Sequence, residues 1–278
     1  KHTLIMIKIP TSLFLFCIMA LQHITVVALP ATKRNTDTTV IKLFNGVDLN
    51  GWYTFIKDRG KNTDPKKVFT VKKGLLHISG EEWGCITTND IYGNYTLSVE
   101  YKWGGKTHIP RKENARDGGI LVHSNGEDGG YSGTWMHGIE CQIIEGGSGD
   151  MLVVGDGSKN FSLTCTVAKD KQKSSYVFQK NGEDTVTING GRINWWGRDA
   201  TWEDVINFRG KQDIENAVGE WNKIECVVRG REISVYLNGI LVNRALDVYP
   251  GSGRIQIQSE GAEMIIKNIL LIPLTPAR

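Results

Sequence analysis

Along most of the chain, hydrophobic and polar residues alternate one for one, the period of a half-buried β-strand. The segment "YTLSVEYKW" sets Leu97, Val99, Tyr101 and Trp103 on one side and Thr96, Ser98, Glu100 and Lys102 on the other. "WNKIECVVRGREISVYLNGILVNRA" reads as two consecutive hairpins. Ile224, Cys226 and Val228 share a face, the chain turns at Arg229-Gly230, and Ile233, Val235 and Leu237 form the next inward set. Asn238-Gly239 suits a two-residue hairpin turn, because both residues tolerate positive φ. "GRIQIQSEGAEMIIKNILLIP" supplies two closing strands. "DATWEDVINF" departs from the pattern and predicts a short helix capped by Asp199 or Thr201. Many short strands with Gly, Asn and Asp turns, and no long amphipathic helix, predict an all-β sandwich. It forms one domain over residues 38–278, with one sheet bent over a concave face suited to a carbohydrate.

The same parity picks out candidate chemistry. In "WMHGIECQIIEGGSGD", Glu140 and Gln142 point one way while Cys141 and Ile143 point into the core. Glu145 shares the parity of Cys141 unless a bulge re-aims it, and the following "GGSGD" favours irregular backbone. "ARDGGILVHS" puts Leu121 and His123 on one face and Ile120 and Val122 on the other. If it pairs with the Glu140 strand, His123 and Glu140 come close, and a His, a Glu and a Gln converging on one face would make a reaction centre. Gly118 and Gly119 leave room for a ligand or a neighbouring backbone. "GRIQIQSEG" adds Arg254, Gln256 and Gln258 opposite Ile255 and Ile257. Such a stripe suits sugar hydroxyls and is equally the wet face of any sheet. Trp135 and the Trp195-Trp196 pair fall in predicted loops, where indole rings stack on sugar faces.

Composition narrows the field. Of 278 residues, 40% are hydrophobic and 23% charged, and the net charge of +3 is scattered, so nucleic acid is not an expected partner. There is no G-x-S-x-G elbow, phosphate loop or H-E-x-x-H, which leaves nucleophilic serine chemistry and nucleotide binding without support. Basic residues followed by an apolar run that ends in small residues near Ala28 predict a signal peptide over 1–28 and a polar linker over 29–37. The mature protein is then secreted or periplasmic, with no membrane contact once the signal is removed; a retained N-terminal anchor is the alternative. Cys85, Cys141, Cys165 and Cys226 remain, without a C-x-x-C pair that would suggest structural zinc. Export permits disulfides, while Cys141 and Cys226 at apolar parity pack equally well as free thiols.

"LFNGVDLNGW" resembles the opening signature of the 3-keto-disaccharide hydrolase family, and the likeness continues in family order through "EYKWGGK", "ARDGGILVH", "IECQIIEGGSGD", "YLNGILVNRA" and "GRIQIQSEGAEMIIKNILL". The resemblance implies a concanavalin A-like jelly-roll of two antiparallel sheets and action on glycosides oxidised at C3. Many members read Asn-Ser-Gly where this chain has Asp117-Gly118-Gly119, which suggests a subgroup with its own substrate. The implied chemistry is removal of the acidified C2 proton, β-elimination of the C1 substituent, and hydration. It needs a base, for which His123 and Glu140 are the candidates, and an oxyanion partner, for which Lys102, Arg116 or a divalent metal ion would serve. Gln142, Gln258 and Glu260 would hold hydroxyls, and Trp135 and Glu145 complete the expected carbohydrate-binding set. Glu140-x-Gln142-x-x-Glu145 matches in spacing the Glu-x-Asp-x-x-Glu strand of retaining β-glucanases, yet its central amide cannot share a proton as an Asp would. A glycan-binding module of the same fold without catalysis is the other reading.

Overall fold

The computed structural model describes residues 39–275; the predicted signal peptide and linker lie outside the described residues. Alternation becomes strands where the parity predicts them. Asn222–Arg229, Glu232–Leu237 and Ile240–Tyr249 form two successive hairpins, the second turning through Asn238 and Gly239 at φ 49° and 84°. This positive-φ pair matches the right-handed twist of the flanking strands.

Two large sheets result. The first has ten strands, in the order Asp184–Ile188, Ser162–Val167, Ile240–Tyr249, Glu232–Leu237, Asn222–Arg229, Tyr95–Thr107, Ala262–Pro273, Leu75–Ile78 and Phe69–Lys72, with Ile41–Lys42 also on Ala262–Pro273. The second has nine: Tyr176–Val177, Gly191–Asn194, Met151–Val154, His137–Ile144, Asp117–Asn125, Arg254–Ser259, Gly84–Thr88, Trp52–Ile56 and Gly60–Lys61. The core lies between them: Leu97, Val99, Ile224, Cys226 and Val235 of the first sheet meet Ile120, Val122, Cys141, Ile143 and Ile257 of the second in one buried cluster. This is the jelly-roll sandwich of the concanavalin A-like kind. The two closing strands enter opposite sheets, so Glu260 and Gly261 stand at the corner between them.

Two expectations need correction. The pairing is not wholly antiparallel, because Tyr176–Val177 runs parallel to Gly191–Asn194 at one edge. Nor do residues 199–208 form a helix; among the described residues there is none. Asp199 does accept the Thr201 amide at 2.9 Å, as a cap would. Propagation fails because tertiary contacts compete: the Trp202 indole donates to the Glu145 carbonyl at 2.9 Å, the Ile206 amide donates to Glu113 at 3.0 Å, and Asn207 adopts φ 61°. All four described cysteines are free and buried.

Candidate active site

Register between neighbouring strands sets the outward side chains of the second sheet in rows. One row runs Arg192, Leu152, Glu140, Leu121, Gln256, Thr87 and Tyr53. In the next row Gln142 faces Gly119, and Gln258 follows on the adjoining strand, paired in turn with Cys85. A Cβ built on Gly119 would collide with Oε1 of both Glu140 and Gln258. The bare glycine therefore lets the two side chains converge over it. The room above Gly118 is filled from the opposite sheet, by the Met264 methyl 2.7 Å from where a Cβ would stand.

Around this point charges gather. Asp117 accepts from Gln142 Nε2 and from the Gly118 amide at 2.9 Å, and pairs with Arg111 Nη2 at 3.0 Å. Asp150 accepts the Trp195 amide at 2.8 Å while its other oxygen holds Arg198 and, at 3.2 Å, Arg192. The Arg198 guanidinium also lies over the Trp202 ring, 4.1 Å from its centroid. Arg111, Asp117, Arg192, Asn194, Arg198 and Asp204 line a cavity of about 560 Å³, large enough for a small saccharide. Asn194 Oδ1 and both amide atoms of Gln258 are buried without a protein partner, which leaves them free for a polar ligand.

Three carboxyls share the low-dielectric floor. Burial, and then the Asp117 charge, push Glu140 up to about 8. Burial likewise raises Asp117, against the pull of Arg111 and Arg192. Glu260 is held well above the ordinary range by burial and then by Asp117 and Glu140. Such a cluster retains protons near neutral pH and supplies groups for proton transfer in both directions. Among the described residues no three His, Cys, Asp or Glu side chains form a metal-binding group. The divalent ion allowed by the resemblance thus finds no such ligand set among the described residues.

Of the expected site residues, Glu140, Gln142, Gln258 and Glu260 are brought together with Asp117. The others go elsewhere. His123 sits where the register shifts between Val122 and Asn125, at φ 54°. Its Nδ1 lies 2.7 Å from the Pro250 carbonyl, and burial lowers it to about 4, which keeps the ring neutral. No member of the carboxylate cluster acts on it. Arg116 Nη1 and Glu145 Oε1 form a buried ion pair at 2.6 Å; Glu145 also takes the Arg116 and Asn207 amides, and Arg116 donates to Asn207 Oδ1 and Gly104. The pair fastens the 199–208 loop to the sandwich. Lys102 is on the outer face of the first sheet, 4.9 Å from the Trp221 ring centroid. Trp135 is stacked between Trp83 and Tyr131, at 5.8 and 6.4 Å between centroids, and is only 6% exposed.

Sequence reasoning missed Asp117 as a site residue, along with Asp150, Arg111, Arg192 and Arg198. Arg192 and Asn194 alternate with Ile193 and Trp195, a signal that parity could have read. Asp117 stood in view as a departure from the family pattern. Arg111 and Arg198 lie in irregular backbone, where no periodicity operates.

Residues 39–272 match the profile of the 3-keto-alpha-glucoside-1,2-lyase-like domain. No curated protein matches the chain. Among solved structures, a candidate glycosyl hydrolase from Parabacteroides distasonis is 17% identical, covering 88% of this chain and 98% of its own, with a TM-score of 0.50. A second from the same organism is 16% identical over 85% and 100%, at 0.47. The β-glucanase of Bacillus licheniformis is 10% identical over 85% and 98%, at 0.43. At these identities the likeness is one of fold.

Proposed function

The chain belongs to the 3-keto-alpha-glucoside-1,2-lyase-like family, and we propose that it is an exported enzyme that cleaves 3-keto-glycosides, 3-keto-disaccharides among them, with Glu140 as the base. The observation that carries this reading is the state of Glu140. It is buried and raised to about 8, and its charged neighbours Asp117 and Arg192 line a polar cavity with Arg111 and Arg198. A carboxylate of that basicity is suited to a carbon acid made labile by an adjacent ketone.

In the reaction, Glu140 takes the C2 proton and the electron pair moves to the C3 oxygen. Arg192, oriented by Asp150, offers a guanidinium to that oxyanion. The C1–O bond then breaks, and the departing oxygen takes a proton from Glu260, which burial keeps protonated near neutral pH. Water adds across the C1–C2 double bond, with OH to C1 and H to C2. The orphaned Gln258 amide and Asn194 carbonyl accommodate sugar hydroxyls. Glu145 does not take part, because Arg116 and two backbone amides saturate it. That saturation argues against a retaining-glucanase pair of Glu140 and Glu145, which would leave both carboxylates facing the sugar. Export rests on the apolar N-terminal run alone.

The test is turnover of a 3-keto-glucoside beside its unoxidised parent, with loss of C2 deuterium followed by NMR. Cleavage confined to the keto sugar, with C2 exchange, is the expected result. Cleavage of the parent would replace elimination by ordinary glycosidase chemistry. Binding of either sugar without turnover would leave a glycan-binding module.

A further inference from the structure

Of the tryptophan pair singled out in the sequence, only half is spent on the core. Trp195 is 1% exposed, whereas Trp196 is 40% exposed. Its exposure is not looseness. The Trp196 indole N–H donates to the Leu241 carbonyl at 2.8 Å, and its ring meets Trp195 edge to face at 5.3 Å between centroids. Edge and plane are both fixed, and a flat aromatic face is left to solvent. The ring forms one wall of a hollow of about 420 Å³ whose other sides are mainly apolar, from Val177, Phe178 and Leu241.

Shared lining residues link this hollow to the candidate active site. Trp196 also borders a smaller polar recess of about 190 Å³, and that recess shares Gln172, Arg198 and Asp199 with the main cavity. Trp196 and Arg198 are two residues apart, so their Cα atoms lie within about 7 Å, roughly the span of one ring. A ligand whose sugar occupies the charged cavity can therefore extend past Arg198 and Asp199 and end against the indole.

We propose that Trp196 and the apolar hollow form the aglycone subsite of the enzyme, built for an aromatic ring on the leaving side of the glycosidic bond. The assignment rests on the carbohydrate reading of the main cavity and adds the class of leaving group. An aromatic ring suits the site better than a second sugar, because the wall is mainly apolar and, besides the bonded indole, only the Gln179 and Lys180 side chains could bond hydroxyls. A ring stacked on the fixed indole gains both buried apolar area and an aromatic contact.

Equilibrium binding of methyl, phenyl and 2-naphthyl glucosides of both anomers, measured by calorimetry on wild type and Trp196→Ala, tests this. In the wild type, affinity should rise about tenfold from methyl to naphthyl. Trp196→Ala should remove that rise and leave methyl glucoside binding unchanged. A naphthyl-to-methyl ratio that is flat in wild type, or unaltered in the variant, overturns the subsite while the carbohydrate cavity stands. Free 2-naphthol, followed by tryptophan fluorescence, separates the two readings. If naphthol binds at Trp196 while no glucoside binds anywhere, the link to a glycoside falls, whereas the main reading stands or falls on turnover of the keto sugar. Leu241→Ala, which removes floor and leaves the indole in place, should lower naphthyl glucoside affinity by a smaller factor. No loss there would also count against the site.

Discussion

Glu140 and Glu145 are five residues apart, both buried, and chemically identical, yet the fold treats them in opposite ways. Glu145 is met by one guanidinium and two backbone amides. Glu140 has carboxylates for neighbours, Asp117 first, and burial drives it up to about 8. A buried charge with every lone pair answered holds structure together. One left short of donors among its own kind is stable only when neutral, and it is available for chemistry. What separates the two is what the chain brings to each. The loop containing Asn207 comes to Glu145, whereas a glycine at 119 opens the space that Glu140 and Gln258 share.

Replacing each member should therefore give opposite signatures. Glu140→Gln should reduce turnover of the keto substrate by about 10²–10⁴, the usual worth of a positioned base, while denaturant stability stays level or rises. If activity survives, Glu140 is not the base and the contrast collapses. Arg116→Met should do the reverse in kind. It strands Glu145 without its cation, and a broken buried pair costs about 3–5 kcal/mol in urea unfolding. Stability within 1 kcal/mol of wild type would mean that the amides alone satisfy Glu145.

The pH dependence sharpens the same contrast. If catalysis needs ionised Glu140, kcat/KM should climb about tenfold per pH unit on the acid side and level near pH 8. It should fall again at higher pH, where Glu260 loses its proton. Stability runs the other way. A carboxyl whose folded pKa lies above its unfolded value stabilises the fold while protonated, and that contribution is lost as pH rises from the unfolded value of about 4.5 toward 8. Each such group contributes up to about 1.4 kcal/mol per pH unit in that window. Glu215 belongs to the same class: it accepts from Tyr101 at 2.7 Å, Trp103 at 3.0 Å and Ser148 at 3.2 Å, and burial raises it to about 8. Glu140→Gln should flatten part of the slope and leave the share of Glu215. An unchanged slope in that variant would place the titration elsewhere.

How much of this was legible in the sequence depends on the kind of information each residue carries. Parity assigned faces correctly at Leu97 through Trp103, Ile224 through Val228 and Ile255 with Ile257, because the pleat enforces it. It also set Glu140, Gln142 and Gln258 on one face. Parity could not tell that the face is covered: Gln256 and Gln258 are buried, the former because the loop ending at Trp135 and Met136 folds over and its Met136 amide donates to Gln256 at 3.1 Å. It failed at His123, where the register shift breaks the period and the ring goes to Pro250. Irregular segments carry Arg111 and Arg198, and their placement depends on ion pairs with Asp204 and Asp150, 93 and 48 residues away. Such pairings are set by tertiary geometry, and local spacing does not encode them.

Lys102 is the mildest test of the distinction between an answered charge and an unanswered one. It was a candidate for the oxyanion, yet it projects from the opposite sheet and shares the Trp221 ring with Lys267, at 4.9 and 4.8 Å. Lys102 is only partly buried, and an exposed cation–π contact contributes about 0.5–1 kcal/mol. Lys102→Ala should accordingly shift the urea midpoint slightly and leave kcat/KM on a keto-glucoside within twofold. Because Lys267 remains over the same ring, even that small stability loss should be partly recovered. A Lys102→Ala enzyme with turnover reduced tenfold or more would show that the first sheet reaches the reacting sugar, and would undo the assignment of the oxyanion to Arg192.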